Sequence, residues 1–114
     1  MRYSAWPDKI REILNVGIKL DAVGVENWAL TREQATDALK RFAELEIPIL
    51  GGDVYEKIDS VIQSNYDNWY SNPRSEEGSS DYTKRSIDEA KKYIESYPEV
   101  EGRDMFFVFT PQSE

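Results

Sequence analysis

The segment Ile47–Glu56 (IPILGGDVYE) contains residue types that could serve three kinds of chemistry. Glycine pairs can bring backbone N–H groups close to a phosphate, aspartates act as acids or bases, and Gly-Gly between apolar runs can form a hairpin turn. A phosphate loop usually adds a lysine with serine or threonine, whereas here Asp53 follows and repels phosphate. The pattern therefore favours a turn at Gly51 and Gly52, with strand alternation setting the directions of Asp53 and Tyr55.

A catalytic role for Asp53 would require a second carboxylate or a nucleophile within reach. The chain has no histidine and no cysteine, so the commonest general base, the commonest metal ligand and the thiol nucleophile are missing. Chance pairs of carboxylates are expected among 22 acidic residues, and no twelve-residue calcium loop is present. We predict no catalytic residue, no metal site and no cofactor. A hydrolase that uses Asp53 and Asp67 remains a minor alternative.

The segment Tyr66–Tyr70 (YDNWY) places two polar turn formers, Asp67 and Asn68, between aromatic residues. Asp and Asn side chains can fix a local turn, and Trp69 and Tyr70 can then pack into the core. Tyr and Trp beside acidic groups are also typical of protein-binding surfaces. Both interpretations stay open, with the first favoured.

Arg85 poses a similar choice between a local and a long-range role. It has three carboxylates within reach on its own predicted helix, at Asp81, Asp88 and Glu89. The alternative is that Arg85 ties this helix to Asp53 or Asp67.

The charge of the chain limits its partners. Fourteen basic and 22 acidic residues give a formal net charge of −8. Such a surface repels nucleic acid and attracts basic proteins, although acidity can also serve solubility alone. The amino terminus resembles no signal peptide, and no apolar stretch is long enough to cross a membrane, so we expect a cytoplasmic protein without a membrane partner.

Three helices are expected to position these residues. Pro7, with Ser4 as a possible cap, opens the first helix. Thr31 and Gln34 have the spacing of a capping box at the start of the second. Ser80 is the expected cap of the third helix, which Pro98 ends.

The strands are less regular in pattern. Residues 57–71 are ambiguous between helix and strand, although the aromatic density of NYDNWY favours a strand or a packed turn. DMFFVFT is apolar on both faces and is expected inside the sheet. The order of elements predicts a single α+β domain over residues 1–114, with about three helices packed on a small antiparallel or mixed β-sheet. An exposed edge of the last strand would allow a weak homodimer of an otherwise monomeric protein.

The segments PILGGDVYE, NYDNWYS and DYTKRSIDEAKKYIESY, in this order, resemble immunity protein family 40 of bacterial polymorphic toxin systems. The resemblance covers about residues 10–110, and Ser71 stands where the family pattern has cysteine. It implies a protein without enzymatic activity that binds and neutralises a cognate toxin, and it supplies no catalytic residues. The matching positions are Gly51, Gly52, Asp53, Val54, Tyr55, Asp67, Asn68, Trp69, Tyr70, Tyr82, Arg85 and Ser86.

Two functions are therefore the main candidates on the sequence alone. The first is an immunity protein that meets a basic toxin through an acidic and aromatic surface. The second is an adaptor or regulatory module that uses the same surface for a cellular partner. The candidate binding residues are Gly51, Gly52, Asp53, Tyr55, Asp67, Asn68, Trp69, Tyr70, Tyr82 and Arg85.

Overall fold

The computed structural model describes residues 7–112, apart from the side chain of Ala22. In chain order the elements are α1 (Asp8–Leu14), β1 (Ile18–Lys19), a 3-10 turn (Asp21–Val23), β2 (Trp28–Ala29), α2 (Arg32–Glu44), β3 (Ile49–Ile58), β4 (Val61–Tyr70), α3 (Ser79–Ser96) and β5 (Asp104–Pro111). β1 and β2 form a small antiparallel hairpin, and β4, β3 and β5 form an antiparallel sheet in that order. The predicted α+β fold with three helices is confirmed.

The hairpin between β3 and β4 turns at Asp59 and Ser60, which both have positive φ angles, of 52° and 70°. A two-residue primed turn requires such angles. The turn predicted at Gly51 and Gly52 is therefore wrong, because both glycines lie within β3. The role of the two glycines depends on the residues that pack against them, and the residue types on either side of them in the sequence do not show which residues these are.

The position predicted for the last strand is also wrong, because β5 lies at an edge of the sheet. Phe107 and Phe109 belong to the main core, together with residues of the helices. Phe106 and Val108 point to the other face and pack with Leu20 and Ala29 of the β1–β2 region. β5 is apolar on both faces because each face is covered, not because a strand lies on each side.

The main core lies between the helices and one face of the sheet. Its largest buried side chains include Phe42 of α2, Val54 of β3 and Ile94 of α3, together with Phe107 and Phe109 of β5. On the opposite face the β1–β2 region packs on β5 and leaves most of β4 exposed. None of the helices within residues 7–112 is both long and apolar enough to cross a lipid bilayer.

Some of the helix ends agree with the caps predicted from the sequence, and others do not. The capping box is present, since Gln34 N–H donates to Thr31 Oγ1 (3.1 Å) and Thr31 N–H donates to Gln34 Oε1 (3.0 Å). The prediction of Ser80 as a cap is wrong, because the N-cap of α3 is Gly78, two residues earlier, and Ser80 lies inside the helix. The possible cap Ser4 lies outside the described residues.

Candidate functional site

The two motifs singled out in the sequence lie side by side in the sheet. β3 and β4 pair in the register Gly51 with Tyr70, Gly52 with Trp69, and Asp53 with Asn68. Directly paired residues of an antiparallel sheet share a face, and successive residues alternate between faces. The pairing therefore places Gly52 and Trp69 on the helix side and the two flanking pairs on the opposite side.

On the helix side, Gly52 provides the space that Trp69 fills. A Cβ atom at Gly52 would lie 2.3 Å from the indole ring and 2.6 Å from the carbonyl oxygen of Val108. The buried indole stacks on Tyr93, with ring centroids 4.6 Å apart, and meets Phe109 edge-on at 6.1 Å. Its N–H has no acceptor among the described residues. The packing of Trp69 on Gly52 and on Tyr93 therefore holds α3 against the sheet.

Gly51 is required by the close approach of the two strands. A Cβ atom there would lie 2.2 Å from the carbonyl oxygen of Trp69, which is far inside van der Waals contact. The requirement for glycine at this position therefore comes from the backbone of β4, whereas at Gly52 it comes mainly from a side chain.

On the opposite side, a group of polar and aromatic side chains faces solvent. We call Asp53, Tyr66, Asn68 and Tyr70 the aromatic–acidic face. All four side chains are exposed, Tyr66 to 84% and Tyr70 to 76%. Tyr55 lies beneath them, buried with Phe106 and Val108. Burial raises the pKa of the Tyr55 phenol most, and nearby Asp53 and Tyr66 raise it further.

Tyr66 owes its exposure to an irregularity in β4. Between the pairs Asp53–Asn68 and Tyr55–Ser64, β3 contributes one residue and β4 contributes three. Tyr66, in the middle of these three, has a φ of 71°, a left-handed conformation that is strained for a residue with an aromatic side chain. The N–H groups of Tyr66 and Asp67 donate to Ser64 Oγ (3.1 Å) and Asn65 Oδ1 (2.9 Å), which fixes the bulge locally.

A polar network behind the bulge holds it in place. The carboxylate of Glu56, 3% exposed, accepts hydrogen bonds from Arg103 at 2.5–3.0 Å. Asn65 Nδ2 donates to Glu56 Oε2 (3.0 Å) and to the phenolic oxygen of Tyr97 (2.9 Å). The Tyr97 hydroxyl donates in turn to Asp67 Oδ2 (2.6 Å). The bulge is therefore anchored both to the loop before β5 and to the end of α3.

The titration behaviour of this network follows from its bonds. Hydrogen bonds from Arg103 and then from Asn65 hold the pKa of Glu56 below its usual range. Burial, and then the hydrogen bond to Asp67, raise the pKa of Tyr97 to about 12. Glu56 is thus ionised and Tyr97 is protonated near neutral pH, which is the state in which the donors and acceptors match.

Tyr82 and Arg85 lie together at the exit of β4, away from the aromatic–acidic face. The hydroxyl of Tyr82 donates to the carbonyl oxygen of Ser71 (2.5 Å). Arg85 donates to both oxygens of Glu77 (2.7 and 2.8 Å) and, at 3.3 Å, to Glu89. The partner of Arg85 on its own helix is therefore Glu89, and its main partner is Glu77 in the loop before α3. Among the described residues, no hydrogen bond joins Arg85 to Asp53 or Asp67.

Two further motif positions have structural partners. The hydroxyl of Ser71 donates to Glu89 Oε1 (2.6 Å), so the serine at this position takes part in the same cluster. Ser86, fully buried, accepts from the Ile49 N–H (3.0 Å) and donates to the Thr83 carbonyl (3.1 Å). Both serines connect α3 to the strands.

Asp53 and Asp67 do not form the carboxylate pair that a hydrolase would need. Asp67 is bonded to Tyr97, which directly follows α3, whereas Asp53 stands on the other face, opposite Asn68 and Val108. Asp67 lines a cavity of about 350 Å³ whose lining does not include Asp53. Within the described part of the chain, no cluster of three or more Asp or Glu residues is arranged to hold a metal ion.

Among residues 7–112, no ion pair includes Asp53 or Asp67. Partial burial raises the pKa of Asp53 above its usual value.

The candidate binding residues predicted from the sequence include Asp53, Asn68 and Tyr70 of this face but omit Tyr66, although the segment Tyr66–Tyr70 is a possible binding surface by composition. The signal for it was the run Asn65-Tyr66-Asp67, because Asn and Asp are the residues that stabilise local turns by bonding to backbone N–H groups.

Comparison with known protein families gives one match. The family model described as Immunity protein 40 matches residues 19–111, which include both motifs and all five strands except the first residue of β1. No curated protein and no solved structure matches the chain.

Proposed function

The chain belongs to the Immunity protein 40 family, and from this premise we propose that it neutralises a cognate bacterial toxin by binding it non-covalently. The family match is the observation that carries the proposal. The family match extends over residues 19–111 of the 114-residue chain and therefore includes the whole surface described above. We further propose that the protein acts in the cytoplasm as a single domain and forms a 1:1 complex.

The aromatic–acidic face is the proposed contact surface. It combines two highly exposed tyrosines with the carboxylate of Asp53 and the amide of Asn68. Tyrosine supplies apolar area and a polar tip with little rotamer entropy, which is why it is enriched at binding hot spots. The bulge and its network keep Tyr66 in place before any partner arrives, so less ordering is needed on binding.

The partner is proposed to be basic. The chain carries a net charge of −8, and the two aspartates of the motifs have no counter-charge within residues 7–112. Opposite charges raise the rate of encounter and disfavour wrong partners. A toxin that cleaves nucleic acid would present such a surface, because it must attract phosphates.

Neutralisation is proposed to need no catalysis by this chain. The arrangement of the carboxylates supports this, because Asp53 and Asp67 face different neighbours and do not converge on one cavity. Inhibition would then depend on covering the toxin, so that at least one molecule of this protein is needed for each molecule of toxin.

Co-expression tests the proposal directly. The toxin gene adjacent to this chain's gene is expressed from an inducible promoter, with this chain or with an unrelated acidic protein of similar size as the control. We expect growth only with this chain, and only when it is made in at least equal amount to the toxin. Growth arrest in both cultures would refute the function, and rescue at a small fraction of the toxin's level would indicate an enzyme.

A further inference from the structure

We propose that a positively charged, extended segment of the toxin pairs with the outer edge of β4 at Asn68–Tyr70 and adds a fourth strand to the sheet. This inference rests on the proposed function and names the way in which the same site binds. It is carried by the contrast between the two edges of the sheet.

The edge of the sheet at β5 is closed. Leu30 and Phe107 exchange two backbone hydrogen bonds, of 2.9 and 2.8 Å. Asn27 Nδ2 donates to the carbonyl oxygen of Phe109 (2.9 Å), and Pro111 at the end of the strand has no N–H to offer. Covering an edge in this way prevents another chain from pairing with it.

The edge at β4 is open. No strand within residues 7–112 pairs with its outer side. Ser71 N–H donates inward to the Leu50 carbonyl (2.9 Å), and Trp69 pairs with Gly52. Because backbone groups alternate between the two sides of a strand, those of Asn68 and Tyr70 point outward. They offer two donors and two acceptors to an added strand.

The bulge limits the length of this open edge. Residues 65–67 interrupt the ladder immediately before Asn68, and a bulge of this kind stops indiscriminate edge-to-edge pairing. The part of the edge that follows the bulge is short, with Tyr66 exposed at one end and Tyr70 at the other. A segment that lies on it contacts both rings, so the tyrosines can select its side chains while the backbone supplies the hydrogen bonds.

Charge decides between a toxin segment and a second copy of this chain. A second copy would bring its own Asp67, a residue of β4, to the same edge, and two copies that each carry a net charge of −8 repel each other. A lysine- or arginine-bearing segment would give Asp67 at this edge, and Asp53 on the neighbouring strand β3, a counter-charge that no ion pair within residues 7–112 provides. The occupant is therefore cationic and foreign to this chain.

Amide hydrogen exchange measured by NMR tests the proposal on the unmodified protein. The N–H groups of Asn68 and Tyr70 are followed in free protein and in the complex with the neighbouring toxin domain, inactivated by mutation. We expect exchange at both residues to slow by at least about tenfold in the complex, as hydrogen-bonded amides do. Unchanged exchange within a formed complex would overturn strand addition while leaving the proposed function intact.

A pair of substitutions separates the backbone from the side chain at the same position. Asn68→Pro and Asn68→Ala both remove the amide side chain, but only the first removes the outward N–H, and proline is tolerated on edge strands. We expect Asn68→Pro to bind the inactivated toxin about tenfold more weakly than Asn68→Ala, the equivalent of one hydrogen bond. Equal affinities would contradict the proposal.

Three other outcomes are also decisive. If wild-type protein does not bind the toxin domain, the proposed function fails first. If the Asn68 and Tyr70 amides become protected without toxin as the protein concentration rises, a second copy occupies the edge and the inference is wrong. If Asn68→Pro does not fold, the exchange measurement on wild-type protein still gives the answer.

Discussion

Gly52 and Trp69 form one structural unit, although they lie 17 positions apart in the chain. The indole ring occupies the volume that any side chain at Gly52 would need, and it is held there by Tyr93 and Phe109. The close packing of α3 on β3 through Trp69 therefore requires that residue 52 has no Cβ atom.

Replacing Gly52 with alanine should destabilise the fold. The new methyl group overlaps the end of the Trp69 ring and the Val108 carbonyl, so side chain or backbone must shift. Overpacking of this kind costs about 1–3 kcal/mol of the free energy of unfolding. Urea denaturation followed by tryptophan fluorescence measures it.

Gly78→Ala is the matched control, because nothing lies within 4 Å of a Cβ atom there and its φ is −71°. We expect this variant to lose less than about 1 kcal/mol, since alanine is only a poorer N-cap than glycine. Equal losses in the two variants would show that the packing of Trp69 does not depend on Gly52.

At the level of single residues, the sequence could supply the candidates but not their directions. The DNWY motif was open to a core interpretation and to an interface interpretation, and the structure divides it: Trp69 is buried, whereas Asn68 and Tyr70 are exposed. Strand alternation predicts that neighbours face opposite ways, but which face is covered depends on where α3 packs. The turn predicted at the glycine pair is wrong for the same reason, since only the fold shows that the Trp69 ring lies over Gly52 and that the β4 backbone lies against Gly51.

At the level of elements, the loop between β4 and α3 is secured by one arginine. Arg85 bonds to Glu77, Glu89 and the Asn72 carbonyl, and its hydrogen bonds lower the pKa of Glu77 to about 2. A carboxylate whose pKa falls on folding stabilises the folded state at all pH values well above its ordinary pKa. This stabilisation disappears as the pH falls from about 5 toward 2.

Glu77→Gln should therefore lower the free energy of unfolding at pH 7, and the gap from wild type should narrow as the pH approaches 2. Urea midpoints at several pH values measure the gap. Glu76→Gln removes the same charge from an exposed neighbour that belongs to none of the ion pairs within residues 7–112, and it should show no such trend. A gap for Glu77→Gln that stays constant with pH would contradict the assignment.

The start of α2 offers a second prediction, with a control of opposite sign. Thr31→Ala removes the capping box and should cost about 1 kcal/mol of the free energy of unfolding. Thr36→Ala makes the same change inside the helix, where the hydroxyl bonds to the Arg32 carbonyl and alanine is the better helix former. It should leave stability unchanged or slightly higher. Thermal unfolding of the two variants checks both signs, and a loss in both would contradict the cap.

Elements fixed by local chemistry were predictable, and those fixed by distant contacts were not. The capping box of α2 follows from four consecutive residues. The edge position of β5 does not, because its doubly apolar pattern arises from cover by Leu20 and Ala29, far away in sequence. A strand covered on both faces and a strand paired on both sides have the same pattern of residues.

For the whole molecule, the net charge of −8 should govern association more than dissociation. Raising the ionic strength shortens the distance over which charges attract, so association with a basic toxin slows. The dissociation rate depends mainly on the packed contacts and should change little. Stopped-flow mixing at several salt concentrations measures both rates, and an association rate insensitive to salt would contradict a basic partner.

Within residues 7–112, no strand pairs with the outer edge of β4, whereas Leu30 bonds to the outer edge of β5, and the proposed strand addition therefore takes place at β4. This asymmetry could not be predicted from the sequence, because it depends on the β2 segment lying beside β5. The exposed tyrosines Tyr66 and Tyr70 lie on β4, the strand with this open edge, on the side of the sheet opposite the helices.

The most direct test of toxin binding through the aromatic–acidic face is the dissociation rate of the complex with the inactivated neighbouring toxin. Tyr66→Asn removes the most exposed ring, and asparagine tolerates the left-handed backbone, so stability should not fall. Val61→Asn, on the same strand but beyond the bulge, is the control. We expect Tyr66→Asn to dissociate at least about tenfold faster than wild type, as for a hot-spot residue, and Val61→Asn to match wild type. Identical rates for wild type and Tyr66→Asn, or no complex at all, would contradict binding through this face.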